Sequence, residues 1–272
     1  MLVDTHCHMN MMVKKTFDVP LTADEIRNVR EIIEQAHTNQ VTNIINVGTS
    51  LPESNNCIAL ARAYKHVWAA IGIHPNDCTD RWKDDIAELE KKLSEKEQNK
   101  IVAIGECGLD MHYPEYNLAR QQDAFKYQIN MALEHNLALI VHTRDAYDET
   151  LRILEEYRGD ISRGIIHCFS EDLPFAELVI EWGFAIGIGG AVTYPKNNTL
   201  REVAIKTGLE KIVLETDAPF LPIQSMRGKQ NHPQYIRDIA QYLSQLKQCS
   251  FDEVARITTN NALRIFAIAS DV

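Results

Sequence analysis

The stretch "IVAIGECG" (101–108) is apolar almost throughout and carries one carboxylate, Glu106, close to its end. A strand with one wet face alternates apolar and polar residues, whereas a strand covered by helices on both faces reads as a near-continuous apolar run. Runs of the second kind recur along the whole chain. Upstream lie "VWAAIGI" (67–73), "NIINVGT" (43–49) and "LVDTHCH" (2–8); downstream lie "LALIVHT" (137–143), "GIIHCF" (164–169), "FAIGIGG" (184–190) and "KIVLETD" (211–217). Together they predict eight buried strands.

The intervening segments carry helical signals. Thr22 and Glu25 form a capping box ahead of Ile26, Val29, Ile32, Ile33 and Ala36, which share one helix face. Similar stripes are Phe125, Ile129, Ala132 and Leu133; Leu151, Leu154 and Tyr157, with Asp145 as the expected cap; and Phe175, Leu178, Val179 and Trp182. Two more helices close the chain, one striped by Ile236, Ile239, Ala240, Leu243 and Leu246, the other capped by Ser250 with Glu253 and ending near Phe266. The charged run "ELEKKLSEKEQNK" (88–100) reads as a solvated helix and its exit, and the signal is weakest around 53–65. Strands alternating with helices pair in parallel through right-handed crossovers. Eight repeats in 272 residues predict an α/β fold, a closed (β/α)₈ TIM barrel forming a single domain over 1–272, with an open doubly wound sheet as its rival.

Composition narrows the function classes. With 45% apolar and 24% charged residues and no apolar run near the roughly 20 needed for a membrane span, the chain reads as a globular protein away from membranes. No signal-peptide pattern precedes Asp4, so a cytoplasmic location is expected. Six cysteines without a C-x-x-C pair fit reduced thiols. A net charge of −10 excludes a broad basic surface for long nucleic acid but leaves room for a pocket in which cations attract one phosphate.

In a closed barrel, reactive groups belong at the C-terminal ends of the strands. His6 and His8, His74, Glu106, His142, His167, and Glu215 with Asp217 all sit near such ends. Any one of them could be a structural boundary residue; structural residues have no reason to collect at one end of six strands. Residues i and i+2 of a strand project to one side, roughly 6 to 7 Å apart, so His6 and His8 can converge on one cation while Cys7 faces away. Cys107 and Cys168 are likewise expected to face the helix layer. Imidazoles and carboxylates suit Zn²⁺, Mn²⁺, Co²⁺ or Mg²⁺, and six ligands exceed one open catalytic site. Two divalent ions are therefore expected, with Glu106 placed to bridge them.

The set "DTHCH" (4–8), "GIHP" (72–75), "IGECGLD" (104–110), "VHTRDA" (141–146), "HCFS" (167–170), "ETDAP" (215–219) and "RGKQNHP" (227–233) resembles the TatD family of metal-dependent deoxyribonucleases, which belongs to the amidohydrolase-like barrels. The resemblance runs from residue 2 to about 266. It implies that His6, His8 and Asp217 hold one metal, His142 and His167 the second, and that Glu106 bridges. His74 looks like the pocket histidine near the substrate phosphate, Glu215 like the carboxylate supporting the site, and Arg144, Arg227, Lys229 and Asn231 look suited to hold phosphate. Asn10, Met111 and Glu171 depart from the family pattern, and the 9–21 loop looks long; these departures are expected to ring the pocket mouth.

The expected activity is hydrolysis of phosphodiester bonds in DNA, with Asp217 taking the proton from a water activated by the cations. A barrel-end pocket favours single-stranded ends, and the family resemblance implies 3′-to-5′ exonuclease action. DNA is the expected partner, with no membrane and no obligate protein partner. Related barrels use the same ligands on carbonyls, so an amide, lactone or other non-phosphate ester hydrolase is the alternative, and a non-catalytic binding protein the third reading.

Overall fold

The computed structural model describes residues 1–269, in which eight parallel strands pair in chain order: β1 Leu2–Cys7, β2 Val41–Val47, β3 Val67–Ile71, β4 Ile101–Asp110, β5 Ala138–Arg144, β6 Gly164–Ile166, β7 Phe184–Ile188 and β8 Ile212–Leu214. Helices connect them, which is the (β/α)₈ barrel rather than an open doubly wound sheet. The ring closes between β1 and the segment after β8. Cys7 bridges Ala218 in parallel, Asp217 N–H donates to the His6 carbonyl at 2.9 Å and His8 N–H to the Ala218 carbonyl at 2.7 Å. Side chains finish the seam. Thr5 Oγ1 donates to the Leu214 carbonyl at 3.0 Å, and the Asp4 carboxyl takes Thr216 N–H at 3.0 Å and Thr216 Oγ1 at 2.6 Å. Burial of Asp4 drives its carboxyl up to about 8, against the opposing hydrogen bonds.

Two apolar layers hold the barrel. Strand residues such as Val3, Ile45, Ile140, Ile165 and Val213 fill its interior, and Phe266 from the last helix, Phe251–Phe266, joins them. Asn261 on that helix donates to the Leu209 and Ile212 carbonyls, both at 2.8 Å, and fastens it to β8. The larger layer lies between strands and helices and takes Val29, Ile32 and Ala36 from the helix Ala23–Thr38, whose Thr22/Glu25 capping box is present. The weakly signalled stretch forms the helix Leu51–Ala63, capped by Ser50.

Asp145 is not the helix cap expected from the sequence. The helix Tyr147–Glu156 starts from Ala146 without a side-chain cap, because Asp145 has φ 52° and turns its carboxylate to His112 Nδ1 at 2.7 Å. Asn10 does not lie at the pocket mouth either. It is buried, donating to Glu53 Oε2 at 2.7 Å. Glu53 also receives Lys14 Nζ at 2.5 Å, Asp18 N–H at 2.7 Å and Asn56 Nδ2 at 3.1 Å, so a buried ion pair anchors the 9–21 loop to the helix Leu51–Ala63. Met111 is partly buried against the core.

Candidate metal centre and active site

Two strands reach the site through bulges. Between Asp4 and Cys7, β1 has one residue more than β2, and between Ile104 and Cys107, β4 has one more than β5. An extra residue re-aims the side chains beside it, and His6 and Glu106 sit in these two positions. Close packing demands glycine next to Glu106: at Gly105, φ +139°, a Cβ would meet the Ile140 carbonyl oxygen at 2.6 Å.

Four donor atoms from three distant segments converge. His6 Nε2 lies 3.2 Å from His8 Nε2, 3.2 Å from Glu106 Oε2 and 3.8 Å from Asp217 Oδ1; His8 Nε2 lies 3.7 and 3.4 Å from the same two oxygens. A tetrahedral ion with bonds of about 2.1 Å has ligand–ligand edges of roughly 3.4 Å, so the group has the size and donor chemistry of a divalent-cation site. His8 Nδ1 is held by the Val47 carbonyl at 2.8 Å, which leaves Nε2 free to act as a ligand.

The other Glu106 oxygen serves a second group. Oε1 lies 2.7 Å from His142 Nδ1, 2.8 Å from His167 Nε2 and 3.6 Å from His74 Nε2. The first two are hydrogen-bond distances, shorter than ligand edges. Burial works against charge on all these groups, but Glu106 is held well below the usual carboxylate range by His167, His6 and His74. Burial likewise opposes the imidazolium of His167, yet Glu106 and Glu215 raise it well above its ordinary value, and Asp110 and Glu106 raise His142. His74 goes the other way: burial, then its neighbour His142, lowers it to about 3. His74 is therefore neutral. Its Nδ1 accepts Asn76 N–H at 3.1 Å, which puts the proton on Nε2, facing Glu106.

Asp110 is a site residue the sequence reading missed. It is buried, accepts from His142 Nε2 at 3.2 Å, Asn76 Nδ2 at 2.9 Å and His112 N–H at 2.9 Å, and these bonds outweigh burial to hold it at about 2. The signal was available. Asp110 ends β4, four residues beyond Glu106, and satisfies the same strand-end criterion that singled out the others.

The pocket around these groups has a volume of about 530 Å³ and takes in His8, His74, Glu106, His142, His167 and Asp217. Arg144 also lines it. Glu215 is buried behind His167, with Oε1 3.6 Å from His167 Nδ1 and accepting the Cys168 N–H. Arg227 lies over the Tyr194 ring at 4.6 Å, outside the pocket lining. Asn231 is buried and donates to the Thr216 and Phe220 carbonyls, both at 2.7 Å, so it shapes the loop that carries Asp217. Cys7 and Cys107 are buried in the core shared with the helices. Cys168 departs from that expectation: with φ 46° it lines the pocket, and burial with Asp217 and Glu215 nearby keeps its thiol protonated.

A family model described as TatD related DNase matches residues 3–267. The chain belongs to the TatD family. It is 37% identical over 268 residues to the uncharacterized metal-dependent hydrolase YabD of Bacillus subtilis, covering 98% of this chain and 100% of that one. It is 30% identical over 257 residues to the 3'-5' ssDNA/RNA exonuclease TatD of Pantoea ananatis, covering 92% and 98%. The crystal structure of YjjV, a TatD homolog from Escherichia coli, superposes with a TM-score of 0.88 at 29% identity, covering 98% of each chain. This TatD-family chain is a metal-dependent hydrolase built on a single barrel. No helix among its described residues is long and apolar enough to cross a membrane.

Proposed function

We propose that this chain removes nucleotides from the 3′ ends of single-stranded DNA, hydrolysing phosphodiester bonds with two divalent cations held either side of Glu106. The observation that carries the reading is the division of one carboxylate between two ligand groups, Oε2 toward His6 and His8 and Oε1 toward His142 and His167. When bound, such a cation pair neutralises a phosphate and brings the pKa of a water toward neutrality.

The protein's own groups supply the rest. When the cations are bound, His6, His8 and Asp217 would hold one and His142 and His167 the other. Burial would raise the Asp217 carboxyl, but the His8 hydrogen bond and the charges of His167 and His6 lower it, so it stands ionised and ready to accept a proton. Neutral His74 offers its Nε2–H to a phosphate oxygen, and Arg144 adds charge from β5. Glu215 orients His167 from behind. A net charge of −10 fits a substrate touched only at its end, and the Pantoea relative is named as an exonuclease that works on such ends.

Digestion of 3′- and 5′-labelled oligonucleotides across Mg²⁺, Mn²⁺, Zn²⁺ and Co²⁺ tests this. The expected result is stepwise release of mononucleotides from 3′ ends, lost on chelation and restored by metal. Intact oligonucleotides alongside rapid turnover of a lactone or N-acyl amino acid panel would overturn it.

A further inference from the structure

A second cleft, about 420 Å³, adjoins the metal pocket and shares Asn76 and Tyr113 with it. Tyr116 lines this second cleft alone. Both tyrosines are exposed, Tyr113 at 52% and Tyr116 at 40%, although large aromatic side chains ordinarily bury most of their surface. The turn between them explains their placement. Tyr116 N–H donates to the Tyr113 carbonyl at 3.2 Å, closing a four-residue turn. Such a turn keeps its first and last Cα atoms within about 7 Å. The turn thereby keeps both aromatic side chains on one short stretch of the cleft lining, where each can meet a planar base.

The cleft is poor in free cations. Arg120 points one guanidinium nitrogen at the Cys78 carbonyl and the other at Asp80, and Glu115 adds a further acid to the lining. A phosphate has little to hold it there; a neutral, flat base does. Arg144 lies over the Tyr113 ring at 5.7 Å, where the two clefts meet, so a guanidinium for phosphate and a ring for a base stand side by side.

We propose that this cleft is a nucleobase subsite, in which Tyr113 and Tyr116 stack the base of the nucleotide next to the one whose phosphate faces the metal centre. The inference rests on the nuclease reading and adds to it where the strand runs and which contact holds it. Stacking is indifferent to base identity, so the subsite serves single strands of any sequence.

The test compares wild type, Tyr116→Ala, Tyr116→Phe and Tyr113→Ala on a single-stranded oligonucleotide and on the same strand with an abasic residue second from the cleaved end. Loss of one base–aromatic contact lowers kcat/KM by about 5- to 150-fold. We expect each alanine variant to lose that much on the normal strand, mostly through KM, and the phenylalanine variant to retain wild-type behaviour. Wild type should lose a similar factor on the abasic strand, and the alanine variants should lose little more there, since the same contact is removed twice. Alanine variants that match wild type on the normal strand, or losses that multiply on the abasic strand, overturn the subsite while the nuclease reading stands. A wild-type protein that cleaves no oligonucleotide removes both.

Discussion

Replacing Asp110 by asparagine probes the metal centre without touching a proposed ligand. The carboxylate accepts through both oxygens, Oδ1 from His112 N–H at 2.9 Å and Oδ2 from Asn76 Nδ2 at 2.9 Å and His142 Nε2 at 3.2 Å. Asparagine has one acceptor atom. Whichever way its amide turns, an NH₂ group faces an N–H, and an unpaired buried donor costs about 1 to 3 kcal/mol. Loss of a carboxylate behind a metal-binding histidine typically lowers metal affinity by about 10- to 100-fold, which is the same range. The distinguishing readout is the pH profile. His142 is raised above its ordinary 6.5, with Asp110 the leading cause once burial, which opposes the shift, is set aside. On the proposed reading, a metal at His142 Nδ1 would displace its proton, so uptake would develop as pH rises through that raised value. Without the Asp110 charge, the proton is held less firmly. Asp110→Asn should therefore bind metal about 10- to 100-fold more weakly at its plateau, yet reach half of that plateau at a lower pH than wild type. Calorimetric titration of Mn²⁺ or Zn²⁺ into chelated protein between pH 5.5 and about 8.5 reads both quantities, across the span where histidines titrate. An unchanged plateau with an unchanged midpoint would refute the role given to Asp110.

Asp217→Asn should cut turnover by about 100-fold or more while far-UV circular dichroism stays the same, and wild-type rates from that variant would remove the proton-acceptor assignment. Lys14→Met leaves Glu53 buried without its cation, at a cost of about 3 to 5 kcal/mol, or a fall in Tm of about 5 to 9 °C for a chain this long; pairing it with Glu53→Gln should recover most of the loss. An unaltered melting temperature in the single variant would show that the pair anchors nothing. The Asp4 carboxyl is raised from 3.8 to about 8 on folding, so its contribution to stability is complete below about 4 and disappears as pH climbs through about 8. Chelated protein should accordingly lose Tm progressively between about pH 4 and about 8 and level off above that, and Asp4→Asn, which can keep the Thr216 bonds, should flatten that slope.

Hydrophobic patterning shows plainly in this sequence because both faces of each strand are covered: "IVAIGECG" and "LALIVHT" have no wet side to interrupt them. The converging imidazoles and carboxylates were legible for a related reason, since charged and imidazole groups at the ends of such strands have only one common destination. Register was not legible. The extra residues in β1 and β4 that aim His6 and Glu106 leave no mark on composition or period, because a bulge is a relation between two strands. Cys168 and Asp145 went astray through backbone conformation: both adopt positive φ, which reverses the direction a side chain would take in a strand or at a cap. Asn231 looked like a phosphate contact because it is polar and near basic residues; its amide is already committed to two carbonyls of the Asp217 loop.

The join between first and last strands has a temporal consequence. His6 and His8 leave the ribosome more than two hundred residues before Asp217, whose N–H closes onto the His6 carbonyl. A nascent chain that has delivered only seven strands holds imidazoles with no Asp217 carboxylate to complete the cup and no seam to fix their spacing. Completion of the four-donor cup is thereby tied to the last stage of folding, and a chain arrested short of Asp217 lacks its fourth donor.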